Sequence, residues 1–542
     1  MADERRRHIS PPSGGDLTEG TPLLGEEEDR RNQLHNAQPH PGLSSVGSRG
    51  IHVHVPKVHK GSVVINFLCL IIFIATSAAG FISIPYTRLA EDVLCRRYYG
   101  VEQGGADTGP IDEGLCKENS IQSRLAFIMA IHSALEAVAG LLAAFPWGLV
   151  ADKIGRRPVS AIALGSMVVA LLWAMVVVSL PSVLPLELIW LGAASPFVGG
   201  GNAVVTGVVL SMITDATSEE KRAIAFMRVH AASLCGNLMS PALSSLLMSR
   251  TGPWPSLWVA VGLLSTGALS FLFLPETLPP TTKNASTAPS QPPPPGLKSR
   301  IHHTITRFQE SLSLLQSPSL ILLLISALGT PPVLFATLQF MAQFLSKRYA
   351  LRLAQTGYIQ SFYGGAQIAQ ALLILPFLSR QLLLLRQRQQ PPKTRGSENP
   401  EQRRDLTLAL WSYALLSLGV LVLGLAPGVG SFACGLVLAA LGSGFGSLSK
   451  SLMSLYVEPA QRSRLFSLVG MVEVLGSVYA HPMLAGLFSL GMRLGGRWIG
   501  LPYYGLAVLV AACGSLLLFV RLPKSAVGEE AESAGEGTIY QE

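Results

Sequence analysis

Apolar residues fall in long runs along this chain rather than at alternate positions. The first run, Val63–Tyr86, is 24 residues without a charge. As a helix it crosses a hydrocarbon layer of about 30 Å. Eleven more follow: Leu125–Leu149, Val159–Ser179, Leu188–Ile213, Ala223–Met248, Leu257–Leu274, Ser319–Leu345, Thr356–Leu378, Leu406–Ala426, Ser431–Tyr456, Phe466–Leu490 and Pro502–Val520. None alternates with the period of two that a barrel strand needs. The pattern predicts an all-α polytopic membrane protein with twelve transmembrane helices.

The polar stretches divide the chain. Residues 1–61 are charged and rich in Pro, Gly and Ser, the composition of a disordered tail. Six spans occupy 62–274 and six occupy 319–520. Between them, 275–318 is a linker containing Pro292–Pro295, with an amphipathic stretch at Ile305–Leu315 suited to a membrane interface. Residues 521–542 form a polar tail. The halves echo each other at an offset of 243: Gly199 on Gly442, Gly201 on Gly444, Ser211 on Ser454, Asp215 on Glu458 and Lys221 on Arg464. Parallel repeats of this kind occur in transporters with the substrate site between the halves.

Composition agrees. The 542 residues are 49% apolar and 14% charged, too little charge to cover a soluble protein of this size. The net charge of +8 fits basic cytoplasmic loops better than nucleic-acid binding. With a cytoplasmic N-terminus, the cytoplasmic segments carry 28 Lys and Arg and the exoplasmic loops 11. Both termini are therefore expected in the cytoplasm, and the Arg88–Ser123 loop outside. Cys95 and Cys116 share that oxidising loop, where they form a disulfide or remain two free thiols. No metal-site spacing, catalytic triad or nucleotide P-loop is present, so neither an enzyme nor an ATP-driven pump is expected.

The loop after the second span, Gly148–Pro158, reads GLVADKIGRRP. Gly148, Asp152, Lys153, Gly155, Arg156 and Arg157 occupy every main position of the loop signature of the major facilitator superfamily, which the chain resembles from about Val63 to Val520. Physically, Gly148 permits close helix approach and Gly155 a tight turn. The resemblance implies two six-helix bundles and a carrier that moves a small solute by alternating access. It also implies that Asp152, Arg156 and, at the end of helix 4, Asp215 act as cytoplasmic gating residues. The equivalent loop of the second half lacks the Gly-Asp-Gly frame. Gly236, Ser240 and Ser244 beside Pro241 resemble an antiporter signature with serines for glycines, and equally suit plain helix packing.

Ionisable groups inside spans are costly in lipid and face protein or water. Glu136 lies near the middle of helix 2, with His132 on the same face four residues earlier. Both are candidate proton carriers, as is Glu473 in helix 11; the plainer reading is a structural pair. Lys450 in helix 10 has a similar depth to Glu473 and is its expected ion-pair partner. Arg228 is expected to reach the interface. Candidate cavity residues are Asn66, Tyr86 and Asn202, Gln339 and Gln343 in helix 7, and Tyr358, Gln360, Tyr363 and Gln367 in helix 8. This mixture suits a moderately apolar organic molecule.

In the N-terminal tail Glu19 stands four residues before Leu23-Leu24, the acidic dileucine pattern that sorting adaptors bind. It points to a vacuolar or lysosomal membrane, with the plasma membrane as the other candidate. The leading reading is a eukaryotic, fungal-type exporter of drugs or metabolites, working as a monomer in the lipid bilayer. It would use the proton gradient and no cofactor. Two alternatives stand beside it: a proton-coupled uptake symporter, related to the proton-coupled folate carrier, and a non-transporting sensor or scaffold with a carrier fold.

Overall fold

The computed structural model describes residues 60–100, 111–217, 219–275, 317–378, 380–381, 384, 400–457 and 462–522. The sorting motif at Glu19, Leu23 and Leu24, the Pro-rich linker and the Ile305–Leu315 stretch lie outside them.

Among the described residues twelve helices are long and apolar enough to cross a membrane. They are α1 (Lys60–Tyr99), α2 (Asn119–Ile154), α3 (Arg156–Ser179), α4 (Leu186–Ala216), α5 (Glu219–Thr251) and α6 (Pro253–Phe273). The second set is α7 (Pro318–Leu338), α8 (Leu353–Leu378), α9 (Pro400–Leu425), α10 (Val429–Tyr456), α11 (Arg462–Leu494) and α12 (Gly496–Phe519). A helical extension of α7, Phe340–Tyr349, follows a break at Gln339. In lipid every backbone N–H and C=O must find a partner within the protein, which a helix provides. Prolines open α6 and α7, where their missing N–H costs nothing. Large apolar side chains such as Val169, Leu191, Phe273 and Leu373 stay exposed on the outside, the surface a bilayer covers.

Several helices outrun their apolar stretches. α1 continues thirteen residues beyond Tyr86 to Tyr99, because Arg88–Glu91 (3.0 Å) and Asp92–Arg96 (2.9 Å) pair one turn apart along it. The expected Arg88–Ser123 loop is thus helical at its start and, from Asn119, at its end.

One apolar cluster packs within α1–α6, and a second is built mainly from α7–α12. The repeated glycines occupy like positions in the two halves. α4 is interrupted at Gly200 (φ +81°), and the Cβ that Gly199 lacks would meet the Ala163 backbone of α3. α10 is interrupted between Leu441 and Phe445, and a Cβ on Gly442 would meet the Ser412 carbonyl and Leu416 amide of α9. Each fourth helix bends where it lies directly on the backbone of the third.

The halves meet along α2 with α11 and α5 with α8. The second crossing uses small residues. Gly357 abuts Ser245 and the Pro241 carbonyl, Gly364 abuts Leu238, and the Ala242 amide donates to Ser361 Oγ (3.0 Å). On another face, α5 lays Gly236 against Thr76 and Ser240 against Gly80 of α1. The small face of α5 thus packs.

Candidate functional site

A cavity of about 870 Å³ lies between the halves. Its walls come mostly from α1–α5, with Phe335, Gln339, Phe340, Gln343 and Ala485 from the second half. It runs past Leu210, Ile213 and Phe226 toward the end that carries the Gly148–Pro158 loop. Apolar groups including Met129, Met167, Phe335 and Phe340 alternate with Thr76, Ser133, Asn202, Thr206, Ser233 and Asn237. Such a surface fits an organic molecule with an apolar body and a few hydrogen-bonding groups.

Glu136 sits midway along α2. It is the one Asp, Glu, Lys or Arg side chain on the cavity wall among the described residues. It is exposed to the cavity and makes no ion pair there. His132 lies one turn away on the same wall, and its Nδ1 has no hydrogen-bond partner; neither has the Tyr86 hydroxyl. A third ionisable group, His230 of α5, also lines the cavity.

The other sequence candidates separate. Asn202, Gln339 and Gln343 reach the cavity. Asn66 does not: its Oδ1 accepts from Arg228 (2.9 Å), tying α1 to α5. The polar residues of α8 face away from the cavity. Gln360 donates to the Leu338 carbonyl (2.7 Å), Tyr363 is buried in the second half with Gln367 donating to its hydroxyl (3.1 Å), and Tyr358 points outward. The close crossing with α5 needs small side chains on the contact face, so Gly357, Ser361 and Gly364 hold it. That spacing of small residues was the signal for the interface. Glu473 pairs with Lys450 Nζ at 2.9 Å, and neither belongs to the cavity wall.

At the loop end, Arg156 donates to Asp215, joining the start of α3 to the end of α4. Gly155 takes φ +117°, the left-handed turn that lets α2 pass into α3. Lys153 is exposed and Arg157 half-buried. The Asp152 side chain lies outside the described residues. Gly148 differs from expectation: a Cβ there would meet nothing within 4 Å, so no described helix crosses it closely.

The opposite end is closed, mostly by residues that sequence reasoning passed over; Cys95, Cys116 and Gln343 are the exceptions. Cys95 and Cys116 form a disulfide. Beside it Glu91, 1% exposed, binds Arg88 (3.0 Å) and Lys117 (2.6 Å) and accepts from Gln122 Nε2 (2.5 Å). Gln343 then donates across the halves to the Gln122 backbone and side-chain oxygens (2.9 and 3.1 Å). Asn119 donates to the Met492 carbonyl (3.2 Å), and Ser123 bonds Ser489 (2.5 Å). An apolar plug of Ile84, Met248, Ala342 and Leu353 completes the closure. These residues run from 84 to 492 and form no local motif.

Two helical halves around a central cavity, closed at one end, define a membrane carrier. The chain belongs to the Major Facilitator Superfamily, whose model matches residues 67–389. It is a multi-pass membrane transporter and not an enzyme. It is 29% identical over 453 residues to the MFS efflux pump atnC of Emericella nidulans, covering 81% of this chain and 84% of that one. It is 27% identical to the MFS-type transporter aprT of Aspergillus flavus, over 99% of both chains. Among solved structures, a point mutant of the nucleoside transporter NupG superposes with a TM-score of 0.56 at 16% identity, over 84% of this chain and 99% of that one. A D-xylose-proton symporter gives 0.56 at 14%, over 85% and 99%. At such identities these two share the fold alone.

Proposed function

We propose that this transporter is a proton-coupled exporter of small, moderately apolar organic molecules, working by alternating access. The observation that carries the reading is Glu136, the one Asp, Glu, Lys or Arg side chain on the cavity wall among the described residues. A carboxylate at that depth avoids its desolvation cost by taking a proton or a cation. With no Lys or Arg on the cavity wall among the described residues, proton uptake and release as the cavity changes sides is its chemistry. Glu473 is the weaker carrier, since it is engaged with Lys450. The Arg156–Asp215 bond braces α3 against α4 and serves as a gating contact at the loop end. The mixed lining supports an organic substrate, and the relatives named as efflux pumps support export.

The test is transport by the purified protein in liposomes across a compound panel, with an imposed pH gradient. Accumulation of particular compounds that follows the gradient and collapses with a protonophore supports the reading. Transport indifferent to the gradient removes the coupling, and no transport of any compound favours the sensor.

A further inference from the structure

Beyond the α2–α11 and α5–α8 crossings, the first half also reaches the second through a short segment at this end. Ile111–Lys117 packs Ile111 and Cys116 against the apolar cluster of the first half, turns at Leu115–Lys117 and leads into α2. Glu113 Oε1 accepts the Leu353 amide of α8 (2.8 Å). The carbonyl of Lys117 accepts from Lys347, beyond the end of α7. The same segment is tied to the end of α1 by the Cys95–Cys116 disulfide, and Lys117 Nζ bridges Glu91 (2.6 Å) and Glu113 (3.1 Å). Here a covalent bond and a buried carboxylate fix where Glu113 and the Lys117 carbonyl point.

We infer that Ile111–Lys117, stapled to α1 by the Cys95–Cys116 disulfide, is a latch that holds this end of the cavity shut by binding α7 and α8. The inference rests on alternating access, which requires this end to open. Glu113 and the Lys117 carbonyl are the contact groups. The disulfide, Glu91 and Lys117 Nζ are positioning groups that act through them. Release exposes the Leu353 amide and Lys347 to water, and the apolar plug that includes Leu353 then separates.

The experiment places spin labels at Val183→Cys and Leu494→Cys, both exposed and on opposite halves. The free cysteines Cys69, Cys235, Cys434 and Cys513 are replaced by alanine, and distances are measured in liposomes. Each lost cross-half bond should raise the open-to-closed ratio about fivefold, the effect of one net hydrogen bond. Glu113→Ala and the Cys95→Ser/Cys116→Ser pair should both lengthen the distance, whereas Glu113→Gln, which keeps an acceptor, should restore it. If the serine pair fails to fold, Glu113→Ala and Lys347→Ala decide. An unchanged distribution in the alanine variants overturns the latch. A parent protein that never populates a second distance under any condition overturns alternating access instead.

Discussion

Replacing Glu136 by Gln keeps the side chain's size and removes its charge. The carboxylate makes no ion pair among the described residues, so the substitution breaks none. One carboxylate on the wall implies one proton per cycle. A gradient of one pH unit is worth about 1.4 kcal/mol per proton. With the membrane potential clamped to zero, wild-type protein should sustain about a tenfold concentration ratio of a neutral compound per pH unit. Glu136→Gln should sustain none, while exchanging labelled for unlabelled compound within about twofold of the wild-type rate. The assay is paired: gradient-driven accumulation and equilibrium exchange in one liposome preparation. Accumulation by Glu136→Gln at the wild-type ratio would refute the reasoning. A wild-type ratio near a hundredfold per pH unit would refute the one-proton cycle and bring in His132 or His230.

Other contacts predict smaller effects. Asp215→Asn removes the charge that Arg156 pairs with, in a pair whose members are 15% and 30% exposed. A pair so screened is worth about 0.2–1 kcal/mol, so transport should slow about 1.4- to fivefold with normal membrane yield. Gly199→Val drives a side chain into the α3 backbone and should cost about 1–3 kcal/mol, read as a lower melting temperature in detergent. Gly207→Ala, in open space, should leave that temperature unchanged. Burial, reinforced by the charge of Lys117, holds the Lys347 amine below its ordinary value near 10.5, with Glu118 opposing. Opening would hydrate Lys347, so its protonation favours the open state. The closed population should therefore grow as pH rises through the lowered value toward 10.5, and Lys347→Met should flatten that dependence in the spin-label distances.

The apolar runs disclosed the twelve helices, because lipid demands long uncharged stretches and leaves little else to read. Their ends were misjudged where ion pairs along α1, such as Asp92–Arg96, carry the helix past its apolar stretch. Glu136, His132 and Asn202 were visible because a polar residue in an apolar run needs a reason. The same rule misled at α8. Gln360 and Tyr363 have their reason inside their own half, in bonds to the Leu338 carbonyl and Gln367. Gly357 and Ser361, which meet α5, attract no notice by polarity. The closed end was hidden more thoroughly, since Glu91, Glu113 and Lys117 read as ordinary loop charges until folding sets them beside Gln122, Gln343 and Leu353.

α5 carries small groups on two faces, toward α1 and toward α8. Interlocking side chains act as teeth: two toothed surfaces must part before either can turn. Gly357 and Gly364 give the crossing almost no teeth, so α8 rests on α5 as a shaft rests in a plain bearing. Rocking one half over the other then needs little separation at the middle. In the proposed cycle, resistance to the motion then comes chiefly from the polar contacts at the closed end, with the Ala242–Ser361 bond at the crossing itself.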